Sequence, residues 1–139
     1  MSEVLFESGL SSFSNDTFSM ISESDGPILL DLSGIDIVTT SASTISFESQ
    51  DEVFVLGSNE DDIFISEGSS DDVLLGRSGE DFLFSGLGDD FLSGGRDNDI
   101  LKGGSQDDIL QGNGGEDLLV GGTGKDTLQG GIGNDTLVS

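Results

Sequence analysis

Nine aspartates recur at a nearly constant spacing through the second half of the sequence, and they are the residues best placed to do chemistry. Eight follow one another every nine residues, and one more precedes them. The set consists of Asp62, Asp72, Asp81, Asp90, Asp99, Asp108, Asp117, Asp126 and Asp135. A solubilising acidic surface needs no such register, whereas calcium takes about six to eight oxygens from carboxylates and backbone carbonyls. The spacing therefore predicts a series of metal sites that favour calcium over zinc, copper or magnesium.

The composition excludes most other chemistries. The 139 residues include no histidine and no cysteine, so there is no imidazole or thiolate catalyst, and the serines and threonines lack a base that would activate them. Acidic side chains outnumber basic ones 28 to 4, for a net charge of -24, and the first 76 residues contain no Lys or Arg. We therefore expect no enzyme activity, no small-molecule substrate and no nucleic-acid partner.

Two further features bear on where the protein is found. No apolar run exceeds about four residues, so we expect no membrane insertion. Residues 1–7 lack the positive n-region of a secretory signal. Any export is therefore expected to use a route that needs no N-terminal signal peptide.

The aspartates belong to an internal repeat. Residues 67–138 divide without a gap into eight nonapeptides, each with Asp at position six and Leu at position eight. A weaker unit occupies residues 57–65, and Ser66 reads as a one-residue insertion before the regular array. Glycine concentrates at positions one, two and four, which predicts tight turns with positive φ or close backbone approach.

The repeat also predicts the elements that position the aspartates. Residues seven to nine of each unit are expected to form a short strand with position eight facing inward and its two neighbours outward. Stacked units then bury a ladder of leucines and pair their strands edge to edge, as in a β-solenoid. Equivalent aspartates would lie about 4.8 Å apart, so without a cation they repel one another.

These units resemble the GGxGxDxUx repeats of the RTX family, and the resemblance covers residues 57–138. It implies an all-β fold, a parallel β-roll with calcium bound in the glycine-rich turns, in which two nonapeptides make one coil. Each ion would lie between a turn and the turn two units on, held by both sixth-position aspartates and by turn carbonyls. One side would carry Asp62, Asp81, Asp99, Asp117 and Asp135, and the other Asp72, Asp90, Asp108 and Asp126.

Counting the intervals between neighbours on each side gives up to about seven calcium ions. The carbonyl ligands implied by the resemblance are those of Gly76, Gly79, Gly86, Gly88, Gly94, Gly95, Asp97, Gly103, Gly104, Gln106, Gly112, Gly115, Gly121, Gly122, Gly124, Gly130, Gly131 and Gly133. The pattern departs from glycine at Ser70, Asp97 and Gln106 in position four and at Arg77 and Asn113 in position two. Such turns are costlier to form, and Arg77 brings a cation close to the ligands.

The residues before the array differ in composition, which places a boundary near Gly57. Alternating segments at 35–38, 44–47 and 53–56 predict strands, and Ile35, Ile45, Phe54, Phe64 and Leu74 predict one inward-facing column. We therefore divide the chain into residues 1–26, a cap or flexible segment, residues 27–56, calcium-free solenoid coils, and residues 57–139, the calcium-binding roll.

The sequence favours a calcium-dependent extracellular structural protein that assembles end to end into filaments or a surface layer, with itself as partner. The array runs to Val138 without a polar cap, and one outward face is more apolar than the other. The alternative is a monomeric calcium-binding or buffering module. An ice-binding protein is less favoured because the outward positions supply only Thr127 and Thr136. The remaining hypothesis is that the protein is a non-catalytic partner of a secreted enzyme.

Overall fold

The computed structural model of the chain describes the backbone of residues 30–31, 35–39 and 45–47 and every residue from 52 to 139. These segments contain thirteen strands and no helix. In chain order the strands are β1 (Leu30–Asp31), β2 (Ile35–Thr39), β3 (Ile45–Phe47), β4 (Glu52–Leu56), β5 (Ile63–Ser66), β6 (Val73–Ser78), β7 (Phe82–Leu87), β8 (Phe91–Arg96), β9 (Ile100–Ser105), β10 (Ile109–Gly114), β11 (Leu118–Thr123), β12 (Thr127–Ile132) and β13 (Thr136–Val138).

Consecutive strands from β2 onward alternate between two sheets. One sheet has the order β1-β2-β4-β6-β8-β10-β12 and the other has the order β13-β11-β9-β7-β5-β3. Every pair is parallel except β1 with β2, which are antiparallel. The result is a β-solenoid of about five turns, which confirms the predicted all-β parallel β-roll.

In both sheets, each strand pairs with the strand that lies two nonapeptides further along the chain. Leu92 pairs with Leu110, which pairs with Leu128, and on the other sheet Leu101 pairs with Leu119. Each coil therefore consumes eighteen residues through the regular array, as the family resemblance implied. This register brings equivalent turn residues of alternate units above one another.

The core is a single ladder of apolar side chains between the two sheets. Position eight faces inward throughout, and Leu74, Leu83, Leu92, Leu101, Leu110 and Leu119 have no exposed surface. Positions seven and nine face outward and are half-buried or exposed, because neighbouring residues of a strand point to opposite faces. Each fully buried leucine contributes about 1.5 to 3 kcal/mol to the free energy of folding. The ladder therefore stabilises the strands, and the turns must be stabilised by other interactions.

The strands are longer than predicted. We expected only positions seven to nine to be extended, yet most strands in the array have six residues and continue through positions one to three of the next unit. Parallel pairing persists there, for instance between Asn113 and Gly131 and between Gly114 and Ile132. The expectation was wrong because a glycine-rich segment with positive φ at position two can still make sheet hydrogen bonds with an identical segment one coil away.

Ser66 is not the inserted residue. It is the last residue of β5, is fully buried, and its hydroxyl donates to Asp72 Oδ2 at 2.6 Å. It therefore occupies the place that glycine takes at position one of other units. The extra residue lies instead within the turn 67–71, where added length can be accommodated without breaking the pairing of the strands.

The first coils also differ in detail from the prediction. The three strand segments are confirmed as β2, β3 and β4, but the inward residues of β4 are Val53 and Val55, while Phe54 is half-buried and faces outward. Val55 pairs with Leu74, so Phe54 does not belong to the inward column. Residues 1–26 lie outside the described residues, and the division of the chain into three parts stays a prediction. No helix long and apolar enough to cross a membrane is found among the described residues.

Candidate metal centre

Every sixth-position aspartate lies directly before a strand, at the corner where a turn enters a sheet. Asp62, Asp72, Asp81, Asp90, Asp99, Asp108 and Asp117 are at most 2% exposed, and Asp126 and Asp135 are half-buried. A buried column of carboxylates contradicts a purely solubilising role, because charges taken out of water need partners.

In every one of these aspartates except Asp62, one carboxylate oxygen is held by the main chain of the preceding coil. The N–H of Asp81 donates to Asp99 Oδ1 at 2.8 Å, and the N–H of Asp99 donates to Asp117 Oδ1 at 2.8 Å. Seven links of this kind, between 2.7 and 3.1 Å, join the aspartates. They form two separate columns, which we call the first side (Asp62, Asp81, Asp99, Asp117, Asp135) and the second side (Asp72, Asp90, Asp108, Asp126).

The other carboxylate oxygen is mostly left without a donor. Within residues 52–139, Oδ2 is buried and has no hydrogen-bond partner in Asp81, Asp90, Asp99, Asp108 and Asp117. In Asp62 it is Oδ1 that is unpaired. Leaving a buried polar atom unpaired costs about 1 to 3 kcal/mol, and more when the group is charged. The Oδ2 atoms of these five aspartates are therefore positions where a cation would stabilise the fold.

Burial also changes the acidity of the column. It raises the pKa of Asp81, Asp99 and Asp108 to about 7 and the pKa of Asp72 to about 6. It raises the pKa of Asp62, Asp90 and Asp117 as well. The main-chain N–H donors oppose this rise, and nearby carboxylates, such as Asp81 and Asp117 around Asp99, add to it. Near neutral pH, the ionised carboxylates of the metal-free columns therefore destabilise the folded state.

The glycines of position one lie against the carboxylate of their own turn. A Cβ at any of them would overlap the carboxylate, which applies to Gly76, Gly94, Gly103, Gly112, Gly121 and Gly130. These residues do not have positive φ, so the requirement for glycine here comes from space and not from backbone conformation. The carboxylate is thus enclosed by its own turn on one side and by the next coil on the other.

Positions two and four have positive φ, as predicted. This holds for Gly79, Gly86, Gly88, Gly95, Gly104, Gly115, Gly122, Gly124, Gly131 and Gly133. A Cβ at Gly104 would overlap the carbonyl oxygen of Gly86, and one at Gly124 the carbonyl oxygen of Gln106. Stacked turns therefore place rows of carbonyl oxygens close to the next coil, beside the aspartate columns.

Four of the five departures from glycine adopt the same backbone, and Ser70 does not have positive φ. Arg77, Asp97, Gln106 and Asn113 have φ of 89°, 71°, 84° and 76°. A side chain in this region costs free energy relative to glycine, so these turns are the more strained ones. Their carbonyl groups nevertheless take the place that glycine carbonyls take elsewhere, as shown by the close approach of the Arg77 carbonyl to Gly95 and of the Asp97 carbonyl to Gly115.

The donors present fit calcium. No three His, Cys, Asp or Glu side chains converge anywhere in residues 52–139, so side chains alone do not complete a site. Two carboxylates of one side with the carbonyls of their turns would supply an all-oxygen shell, which a hard cation with about six to eight ligands requires. The predicted ligands thus lie together in the turns, and their role as ligands stays a prediction.

Sequence reasoning missed a second ladder at position five, on the outside of the turns. The Oδ1 atom of Asp89 accepts the N–H of Asp107 at 3.0 Å, and that of Asp107 accepts the N–H of Lys125 at 2.9 Å. These links run opposite to those of position six, since here the earlier residue supplies the carboxylate. Position five is Asp, Asn or Glu in nearly every unit, which was the available signal.

Gly112 provides a test of the crowded position one. A Cβ there would overlap Asp117 Oδ2, so Gly112→Ala is expected to displace the carboxylate and lower the free energy of unfolding of the calcium-loaded protein by about 1 to 3 kcal/mol. Denaturant unfolding in calcium, followed by circular dichroism, measures this. Gly114→Ala is the matched control, because the nearest atom to its Cβ, the Gly95 carbonyl oxygen, is 3.8 Å away. Equal losses in both variants would contradict the assignment.

Comparison with known families gives one match. The family model of the RTX calcium-binding nonapeptide repeat, in four copies, matches residues 68–101 and again residues 102–137. Together these segments cover half of the chain and contain eight of the nine aspartates, all except Asp62. No curated protein and no solved structure is significantly similar to the chain.

Proposed function

The chain belongs to the RTX calcium-binding nonapeptide repeat family, and from this premise we propose that it is a calcium-dependent structural protein of the cell exterior. It folds as calcium binds and then associates with further copies of itself end to end. The observation that carries the proposal is the set of buried Oδ2 atoms without a partner in residues 52–139, which a bound cation would complete. RTX repeat proteins are typically secreted, and extracellular calcium modules work at about 0.1 to 1 mM calcium.

The proposed role is structural because the acids that dominate the chain are committed to the turns. Each sixth-position aspartate accepts a main-chain N–H from the coil before it, except Asp62, which accepts its donors from Ser58 within its own turn. The sequence has no His or Cys to serve as a catalytic partner. Members of this family generally use their repeats to bind calcium and not to catalyse reactions.

The proposed end-to-end association would continue the parallel pairing of coils within the two sheets. Among the described residues β12 and β13 lie at one edge of these sheets, and Ile132, Leu137 and Val138 are 83%, 46% and 47% exposed. An edge of unpaired main-chain groups is a template for another strand. A head-to-tail contact between unlike ends propagates into a filament unless rotation closes it into a ring.

Lateral association is supported by the outer surface of the sheet that contains β5, β7, β9 and β11. Its outward residues are largely apolar, including Ile63, Phe82, Phe84 and Ile100, whereas Ser93, Gln111, Thr127 and Gln129 dilute the opposite face. Lys102 interrupts this apolar surface, with its Nζ 5.5 Å from the centre of the Phe82 ring. We propose that this face joins neighbouring filaments.

Size-exclusion chromatography with light scattering and negative-stain imaging, at millimolar calcium and in chelator, tests self-association. We expect elongated assemblies in calcium and single chains in chelator. A single species of monomer mass in calcium at high protein concentration would leave a monomeric calcium-binding module as the function.

A matched pair of variants separates lateral from end-to-end contact. Ile100 and Ile109 both occupy position seven on opposite faces, with exposures of 38% and 43%. Ile100→Lys is expected to abolish bundling of filaments, and Ile109→Lys is expected to preserve it. Equal effects of the two variants on bundling would contradict the lateral contact. Filament length would then test the end-to-end contact separately.

A further inference from the structure

The first interval of the first side differs from those that follow. This interval is the space between the turn of residues 57–62 and the turn of residues 76–81, bounded by Asp62 and Asp81. The side chain of Arg77 reaches across it, and its Nη1 donates to the carbonyl oxygen of Gly57 at 3.4 Å. Arg77 stands at position two, where the backbone has φ of 89° and glycine would be free of strain.

The carboxylate of Asp62 is also oriented differently from the others of its side. Its Oδ2 accepts both the N–H of Ser58, at 2.7 Å, and the Ser58 hydroxyl, at 3.1 Å. In Asp81, Asp99 and Asp117 the same atom is buried and has no partner. In each of these turns Oδ2 is the oxygen that lies against the position-one glycine. At Asp62 this oxygen is therefore already occupied by donors of the protein, and Oδ1 is the buried atom without a partner.

A calcium ion does not fit this interval as it fits the others. It would have to displace Arg77 from the Gly57 carbonyl and the Ser58 hydroxyl from Asp62 Oδ2. The guanidinium is a cation, so it would also repel the ion. We propose that Arg77, with Ser58, takes the place of a calcium ion between Asp62 and Asp81, so that this interval binds no metal.

Asn113 is a second non-glycine residue at position two, and its side chain lies elsewhere. It lies on the same side and has φ of 76°. Its amide donates to the Ser93 hydroxyl at 3.0 Å and to the Gln111 carbonyl at 3.3 Å, both outside the turn that holds Asp117. The proposal therefore depends on where the Arg77 side chain goes and not on its backbone conformation.

The inference deepens the proposed function and rests only on its calcium binding, not on secretion or assembly. It lowers the greatest number of ions from about seven to about six, because the first side loses one of its intervals. It also gives the start of the array a fixed cation that calcium depletion cannot remove.

Counting bound ions by native mass spectrometry at saturating calcium tests the proposal. Asp62 and Asp135 are the two outer members of the first side, so each bounds one interval. Asp62→Asn is expected to bind as many ions as the natural chain, and Asp135→Asn is expected to bind one fewer. Loss of one ion in both variants would overturn the proposal, whereas a natural chain that binds no calcium at all would overturn the proposed function instead.

Restoring the family residue gives the converse test. Arg77→Gly/Ser58→Gly is expected to bind one ion more than the natural chain, and the additional Asp62→Asn change is expected to remove it. Asn113→Gly relieves the same kind of strain and is expected to leave the count unchanged. A folded double variant with no additional ion would contradict the proposal, and if the double variant fails to fold in calcium, the comparison of Asp62→Asn with Asp135→Asn decides.

Discussion

In the presence of a chelator near neutral pH, the chain is expected to be largely unfolded, and millimolar calcium is expected to convert it to the β-roll. The reason is the balance between a thin core and a heavily charged set of turns. The net charge is -24, and the buried apolar residues within 52–139 form a single ladder one side chain deep. The same coils bury seven aspartates, of which five leave Oδ2 without a donor. Metal binding therefore supplies the free energy of folding.

Far-UV circular dichroism titrated with calcium measures this transition, since the chain has no Trp or Tyr for intrinsic fluorescence. Small-angle scattering gives a second readout, with a radius of gyration of about 39 Å for an unfolded chain of this length and a much smaller value once it is loaded. Magnesium is the matched control ion, because it holds its waters and demands a stricter geometry. Identical spectra in chelator and in calcium would contradict calcium-driven folding.

The repeat predicted the architecture because its two invariant positions carry the two strongest physical signals. Leu at position eight fixes which strand residues face inward, and Asp at position six fixes where the turns lie. A slip of one residue would expose the leucines and bury the outward positions, so the register leaves little freedom. The β-solenoid follows from that constraint, whereas the eighteen-residue coil and the two aspartate columns were implied by the resemblance to the RTX family.

Other features depended on details that a pattern of residue types does not contain. Phe54 fits the apolar spacing, yet Val53 and Val55 face inward, because a strand that is apolar on both faces has no sequence signal for its orientation. Ser66 looked like an insertion because it interrupts the nonapeptide spacing, while the structure absorbs the extra residue in the turn. The donors around Asp62 depend on side-chain direction, which spacing alone does not give.

Protonation of the buried aspartates is expected to supply part of the stabilisation that calcium provides. In chelator, lowering the pH from 8 towards 4 should increase the β-sheet content, with most of the change between about pH 7 and pH 4. Burial raises the pKa of Asp81, Asp99 and Asp108 to about 7, against an ordinary value of 3.8. A folded-state pKa above the unfolded one means that the folded chain binds protons more tightly. The stabilisation is therefore complete below the ordinary pKa and is lost as the pH rises through about 7.

Protons should compete with calcium for the same carboxylates. Between pH 8 and pH 6 acid begins to populate the folded, protonated metal-free chain, and calcium has to displace those protons, so the calcium midpoint is expected to rise as the pH falls. Titrations of ellipticity with calcium at several pH values measure this shift. A calcium midpoint that does not change across this range would contradict the coupling.

The substitution Asp99→Asn separates the two roles of a buried aspartate, because asparagine resembles the protonated acid in shape and keeps an oxygen to accept the Asp81 N–H, now at 2.8 Å. In chelator near pH 8 it is expected to raise the β-sheet content above that of the natural chain, since one buried charge is gone. In calcium it is expected to raise the midpoint, since the ions on both sides of Asp99 lose a charged ligand. Asp107→Asn removes the same charge from an exposed position-five residue that accepts the Lys125 N–H at 2.9 Å, so it reports the effect of net charge alone. If the two variants behave alike in chelator, repulsion over the whole chain and not burial of the column is what keeps the metal-free protein unfolded.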